Sequence, residues 1–212
     1  MIHLSQAVKG VERLTIKEKI IYKALCLFAT RGYGLVSVRD ISRAVGIKES
    51  SLYNHFANKQ DIFDTIVCVC EQRALESNVA LSMQDTLNGD YKPYEGIAME
   101  QLLLVTTSLF KFYVEDDYMS KFRQMLMIEQ FNSEQMGELY RKLFIDAAIE
   151  HQTQLFKYLM NQGWLKVADP SAVALDFYGP VFMLMNKYRE YNAEVAMWLM
   201  KHIQNFVSKN SN

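Results

Sequence analysis

The 212-residue chain is short of the residues that break, staple or anchor a fold. It has three prolines and nine glycines and no run rich in Gly, Pro or Ser, which argues against long disordered stretches. Its three cysteines, Cys26, Cys68 and Cys70, are an odd number without metal-ligand spacing. Cys68 and Cys70, two apart, point to different faces of a helix and cannot readily share an ion. The expectation is three small, buried apolar side chains in a reducing compartment. Apolar runs such as Phe177 to Met185 fall far short of the roughly 20 residues that span a bilayer. The opening MIHLSQAVKGVERL has no continuous apolar stretch of signal-peptide type. A soluble, cytoplasmic protein without a membrane partner is expected.

Chemistry is also missing. There is no Gly-rich phosphate loop, no nucleophile motif and no metal-type His/Cys cluster, so neither an enzyme, a metal site nor a cofactor is expected. The paired carboxylates Asp116-Asp117, beside Val114-Glu115, read as a solvated corner between helices.

What is present is half hydrophobic and 22% charged, enough for a sizeable core in one or two domains. The charge is unevenly spread. Residues 1–60 hold ten Lys or Arg against four acids, net +6, while residues 61–212 hold thirteen against twenty, net −7. A basic head on an acidic body suits a head that meets a polyanion, although solvated surface charge can also cluster by chance.

Helical periodicity runs nearly throughout. From Thr15 to Arg31 a stripe falls at Ile16, Ile20, Ile21, Ala24, Leu25, Leu27 and Phe28. Thr15 can cap this helix with Glu18 as reciprocal partner, and Gly32 ends it. Ser37 suits the N-cap of a second segment facing Val38, Ile41 and Val45 inward, Gly46 turns the corner, and Leu52, Tyr53 and Phe56 belong to a third. A fourth helix is expected from about Asn58 toward Asn78, with Ile62, Phe63, Ile66, Val67, Cys70 and Leu75 as its stripe. The stretch SVRDISRAVGIKESSLYNHF thus has the spacing of a helix-turn-helix, whose second helix lies in a DNA major groove.

Phe28, Gly32-Tyr33, Ser37-Val38-Arg39-Asp40-Ile41, Gly46, Ser51-Leu52-Tyr53-Asn54-His55-Phe56 and Lys59 to Phe63 together resemble the TetR/AcrR family of one-component transcriptional regulators, over roughly residues 15–64. The resemblance implies an all-α fold: an N-terminal three-helix DNA-binding head over residues 1–63, then a larger helical-bundle domain for ligand sensing and dimerisation over residues 64–212. It implies that Ser37 caps the second helix and holds a phosphate, and that Arg39 reaches the groove edge. Ser51, Tyr53 and Asn54 would lie on or beside the recognition face, and Tyr53, His55 and Lys59 would mainly hold phosphates. Tyr53 and His55 can equally pack the corner, and Lys59 can be a solvated cap. Two positions depart from the family pattern. Lys48 stands where Ser or Thr commonly caps, although it can hold phosphate as a point charge, and Glu49 stands where Lys is common.

In the body, helices are expected over Ala98–Val114, Tyr118–Phe131, Glu134–Gln162, Pro170–Tyr188 and Ala193–Val207, with Asp85–Gly96 as the linker. His151 falls in line with the apolar stripe of the long helix, as a satisfied buried histidine or as a ligand's polar handle, with Ala147 and Ala148 leaving room beside it. Phe110, Tyr113, Phe122, Met125, Phe144 and Met183 extend this candidate ligand set, each open to a reading as plain core; an apolar or aromatic effector would suit them. The helix from Pro170 to Tyr188 is apolar nearly all round and needs cover on more than one side. Phe177, Val181 and Met185, with Val195, Trp198 and Leu199 of the last helix, are candidates for a two-fold four-helix interface, or for burial within one chain. The expected protein is a homodimeric regulator, a repressor by the family's example, on an inverted-repeat operator of double-stranded DNA. The competing expectation is a helical interaction module whose basic head binds an acidic protein or membrane surface.

Overall fold

Thr15 sets the first helix. Its hydroxyl accepts from the Glu18 amide at 3.3 Å while the Glu18 carboxylate accepts from the Thr15 amide at 2.8 Å, the reciprocal cap expected from the spacing. The hydroxyl and amide of Thr15 hold the Glu18 carboxyl below its ordinary pKa. In the computed structural model, which describes residues 14–80, 89–96 and 98–212, these segments are all-α. Among the described residues the one extended pairing outside a helix is an isolated bridge between Leu165 and Ser211. The chain divides into two compact units: residues up to Arg73 together with Lys121–Gly137, and Ala74–Ser120 together with Glu138–Asn212.

In the first unit, α1 (Ile16–Arg31) buries Ile20, Ala24, Leu25 and Phe28 completely. Gly32 ends it at φ +84°, its amide donating to the Phe28 carbonyl at 2.9 Å. That φ is strained for any L side chain, and a Cβ would also displace the Oε1 end of Glu129, which this unit draws from later in the chain. Helix α2 (Val38–Val45) packs on α1, α3 (Glu49–Tyr53) packs on α2, and α4 (Lys59–Ala80) follows. Asn58 accepts from the Asp61 amide at 2.9 Å and Asp61 from the Ala57 amide at 2.8 Å, which caps α4. Ile62, Phe63, Ile66 and Cys70 are buried on α4 as expected, but Leu75 is exposed. The expectation of three buried cysteines holds only for Cys70. Cys26 is half-buried, and Cys68, two residues from both Ile66 and Cys70, is turned to solvent. No disulfide joins any of the three.

The linker expected at Asp85–Gly96 lies outside the described residues at positions 85–88; the rest holds a 3₁₀ turn at Lys92–Tyr94 with Tyr94 buried. Then come α5 (Met99–Glu115), α6 (Asp117–Glu129) and α7 (Glu134–Arg141). The Asp116 carboxylate accepts from the amides of Tyr118 and Met119 at 3.0 Å, so it caps α6 at the expected corner. The single helix expected from Glu134 to Gln162 is interrupted: Lys142–Asp146 forms a π turn before α8 (Ala147–Asn161). Asp169 caps α9 (Pro170–Lys187) through the Ser171 amide at 2.9 Å, with Pro170 in the first turn, and Asn192 caps α10 (Ala193–Asn210) through the Val195 amide at 3.0 Å. In the second unit α8 packs on α9 and α10 on α5. One apolar cluster centres on Phe156, Phe177 and Phe206, whose ring centroids lie 4.8–5.6 Å apart. A second gathers Phe110, Val114, Val181, Leu184 and Leu199.

Candidate nucleic-acid interface and ligand cavity

The corner of the first unit is built from local chemistry. The Ser37 hydroxyl accepts from the Asp40 amide at 3.1 Å and donates to the Asp40 carboxylate at 2.5 Å, while that carboxylate also accepts from the Ser37 amide at 3.0 Å. These bonds from Ser37 hold the Asp40 carboxyl below its usual range. Gly46 turns the chain in the left-handed region (φ 81°, ψ 31°), its amide donating to Ser42 at 3.0 Å and Arg43 at 3.2 Å. Val36, Ile41, Leu52 and Phe56 are buried beneath and fix the two helices against each other.

The outward side carries the residues the sequence singles out. Ser37, Arg39, Lys48, Tyr53, Asn54 and His55 are exposed and Ser51 half-buried. Tyr53 leaves 53% of its surface open although it is large and aromatic, an unfavourable place for it unless something covers the ring. It is the last residue of α3; Asn54 sits at the C-cap and His55 beyond it. Lys48 occupies the N-cap without a side-chain cap bond, as its lack of an oxygen requires. Glu49 lies 3.6 Å from Nε of Arg39 as an exposed pair, and the half-buried Asp40 lies 3.9 Å from the exposed Arg43. Such pairs are weak, so the guanidinium groups stay free to exchange a carboxylate for a phosphate.

Lys59 is placed otherwise than its assignment as a phosphate holder or solvated cap implies. Its ammonium points inward, donating to the carbonyls of Tyr33 at 2.8 Å and Val36 at 2.9 Å, and lies 4.2 Å from the centre of the Tyr33 ring. Burial lowers its pKa, with Glu129 pulling the other way. It clamps the α1–α2 loop: the Tyr33 carbonyl accepts from both Lys59 and, at 3.4 Å, the Val36 amide, and the aromatic face beside it favours the cation.

A family model described as "Bacterial regulatory proteins, tetR family" matches residues 20–66, the stretch that runs from α1 through the corner into α4. The chain belongs to the TetR family. This TetR-family chain is 28% identical over 162 residues to the Staphylococcus epidermidis "Biofilm operon icaADBC HTH-type negative transcriptional regulator IcaR", covering 76% of this chain and 74% of that one. To the Staphylococcus aureus (strain Newman) protein of the same description it is 30% identical over 125 residues, covering 58% of this chain and 61% of the relative, less than two thirds of that protein's length. A solved TetR-family transcriptional regulator from Mesorhizobium loti shares the fold with a TM-score of 0.66 at 18% identity, covering 93% of this chain and 97% of that one. The chain is a TetR-family DNA-binding transcriptional regulator, of a family of regulators and not of enzymes. No helix among the described residues is long and apolar enough to cross a membrane.

The second unit of this TetR-family regulator holds a cavity of about 190 Å³ that is partly open to solvent. Of the candidate ligand residues, Phe110, Tyr113, Ala148 and His151 line it. Phe144 does not; it stands edge-on behind Tyr113, ring centroids 5.7 Å apart. Phe122 and Met125 are fully buried, but in the first unit, to which α6 contributes from Lys121 onward. Met183 is 60% exposed, because it lies two residues from both Val181 and Met185, whose side of α9 faces the cavity. Burial lowers the His151 pKa and raises that of Tyr113. The sequence reading missed Gln152, Thr106, Leu109 and Leu143; Ala147 it placed only as a space-maker beside His151. The signal for Gln152 and Leu143 was their place on the long helix, read as uninterrupted where the π turn changes the phase.

The residues assigned to dimerisation sort differently. Phe177, Val181, Met185, Val195 and Leu199 are buried inside a single chain, and the first three also line the cavity. Trp198 alone of the six stays exposed, at 45%. The apolar side chains that α9 and α10 do present to solvent are Leu175, Met183, Met197, Trp198 and Met200.

Proposed function

We propose that the protein is a ligand-responsive repressor, acting in the cytoplasm as a homodimer on an inverted-repeat DNA operator, with residues 1–63 reading DNA and residues 64–212 sensing and dimerising. The observation that carries the reading is the exposed face of Ser37, Arg39, Lys48, Tyr53 and Asn54 on a corner whose buried side is rigidly packed. Arg39 and Lys48 supply sequence-independent affinity and Tyr53 a phosphate contact, while Ser51 and Asn54 are suited to base edges. Repression is supported by the negative regulators to which the chain is similar. The apolar side chains left open on α9 and α10 support a two-fold interface, which in turn calls for two half-sites. An effector in the cavity of the second unit would shift the protein between DNA-binding and released states by roughly 1–3 kcal/mol of differential affinity.

Genomic fragments bound by purified protein, selected in salt high enough to suppress loose binding and then sequenced, test this. One or a few inverted repeats are the expected yield; random fragments would defeat it. Tyr53→Ala is expected to weaken binding to specific and non-specific duplexes alike, about five- to tenfold, the size of one lost hydrogen bond. A loss confined to the selected site would make Tyr53 a base reader instead.

A further inference from the structure

The cavity of the second unit has a chemistry that narrows its occupant. Among the described residues no Asp, Glu, Lys or Arg lines it. An ion placed there would lose its hydration without gaining a counter-charge. His151 provides none near neutral pH, since burial favours its neutral form. The volume of about 190 Å³ is on the scale of one substituted aromatic ring, given that an apolar cavity of about 150 Å³ holds benzene.

Two polar side chains on the wall are already engaged. The Thr106 hydroxyl donates to the Leu102 carbonyl at 2.8 Å, and the Tyr178 hydroxyl to the Phe144 carbonyl at 2.6 Å. Gln152 differs. Its Oε1 is buried from solvent and accepts no hydrogen bond among the described residues. Buried acceptors in folded proteins are almost always paired, so an orphan on a cavity wall is a place for a donor from outside the chain. Gln152 follows His151 and stands one turn beyond Ala148, which leaves open space at its side.

Resting on the reading of this cavity as the effector site, we infer that the effector is an uncharged, single-ring aromatic compound with a hydrogen-bond donor, a phenol or aryl amine. Its O–H or N–H donates to Gln152 Oε1 while its ring packs among Phe110, Tyr113 and Phe177.

The test is calorimetry on the full-length protein with para-ethylphenol, para-ethylanisole, ethylbenzene and para-ethylbenzoate, followed by a thermal-shift panel of multi-ring aromatics. The phenol is expected to bind about tenfold tighter than its methyl ether, the difference of one hydrogen bond, and the carboxylate not measurably. Gln152→Leu should erase the preference for phenol over ether while retaining ethylbenzene, which also shows that the variant's cavity is intact. Gln152→Met serves if the leucine variant misfolds, and the wild-type comparison of phenol with ether needs neither. Equal binding of phenol and ether by wild type would overturn the donor requirement, and tightest binding by the carboxylate would overturn the neutral one. Binding of multi-ring compounds with no single-ring binder would overturn the size limit. In these three cases the cavity remains an effector site. If nothing binds, the effector reading itself falls and this inference falls with it.

Discussion

Lys59 donates its ammonium to the carbonyl oxygen of Tyr33 at 2.8 Å and lies 4.2 Å from the centre of the same residue's ring. With the further bond to Val36 at 2.9 Å, one side chain ties the loop after α1 to the start of α4. Lys59→Ala is expected to lower the stability of the protein by roughly 1–3 kcal/mol, the cost of charge-assisted bonds lost from a half-buried site. A phosphate contact predicts something else, a fall of about 0.9 in the slope of log affinity against log salt. Urea unfolding and a salt titration of DNA binding separate the two; a full drop in slope with unchanged stability would return Lys59 to the DNA.

Gly32 and Glu129 form a second pair whose meaning can be measured. Gly32→Ala forces a side chain into φ +84° and into the Glu129 carboxylate together. A loss of about 1–3 kcal/mol is expected. In a Glu129→Ala background the same substitution should cost less. Equal losses in both backgrounds would assign the whole effect to the backbone.

His151 makes stability depend on pH in a stated direction. Folding lowers its pKa, so on acidification the unfolded chain takes up the proton first. The stabilisation is complete above the ordinary histidine value of about 6.5 and is lost as pH falls through it toward the depressed folded value. Denaturant midpoints of wild type should therefore fall more steeply between about pH 7 and 5.5 than those of His151→Gln. Parallel profiles would place the titrating group elsewhere.

Met183 and Trp198 test the surface left by α9 and α10. Both are substantially exposed, so Met183→Asp and Trp198→Asp should leave the fold intact and shift sedimentation from dimer to monomer. Val181 is the control, since it is buried within one chain. Val181→Ala should cost on the order of 2 kcal/mol of stability. Monodisperse dimers in both aspartate variants would move the interface to another face.

Much of the head could be read from the sequence because its signals are local. Thr15 with Glu18, Ser37 as a cap and Gly46 as a turn each act within three or four residues, and all three behave in the fold as their spacing predicts. Lys59 could not be read the same way. The carbonyls that hold it lie 26 and 23 residues earlier, and only the approach of the loop after α1 to the start of α4 brings them together.

The body shows the same division more sharply. Helical periodicity marks Phe177, Val181 and Met185 as covered residues, yet it does not say whether a partner chain or the chain's own helices cover them. Phe122 and Met125 carry the same apolar signal as Phe110 and Tyr113, but α6 contributes them to the other unit. The π turn at Lys142–Asp146 changes the phase of the long helix and helps decide which side chains reach the cavity. The amino-acid sequence by itself determined the capped helix starts and the glycine turn of the head, at Thr15, Ser37 and Gly46, because capping, handedness and amphipathic spacing are properties of neighbours along the chain. Tertiary structure alone decided which apolar faces meet, which polar atom of Gln152 is left without a partner, and where a cavity stays open. Packing is a relation between distant segments, and no window of sequence contains both sides of it.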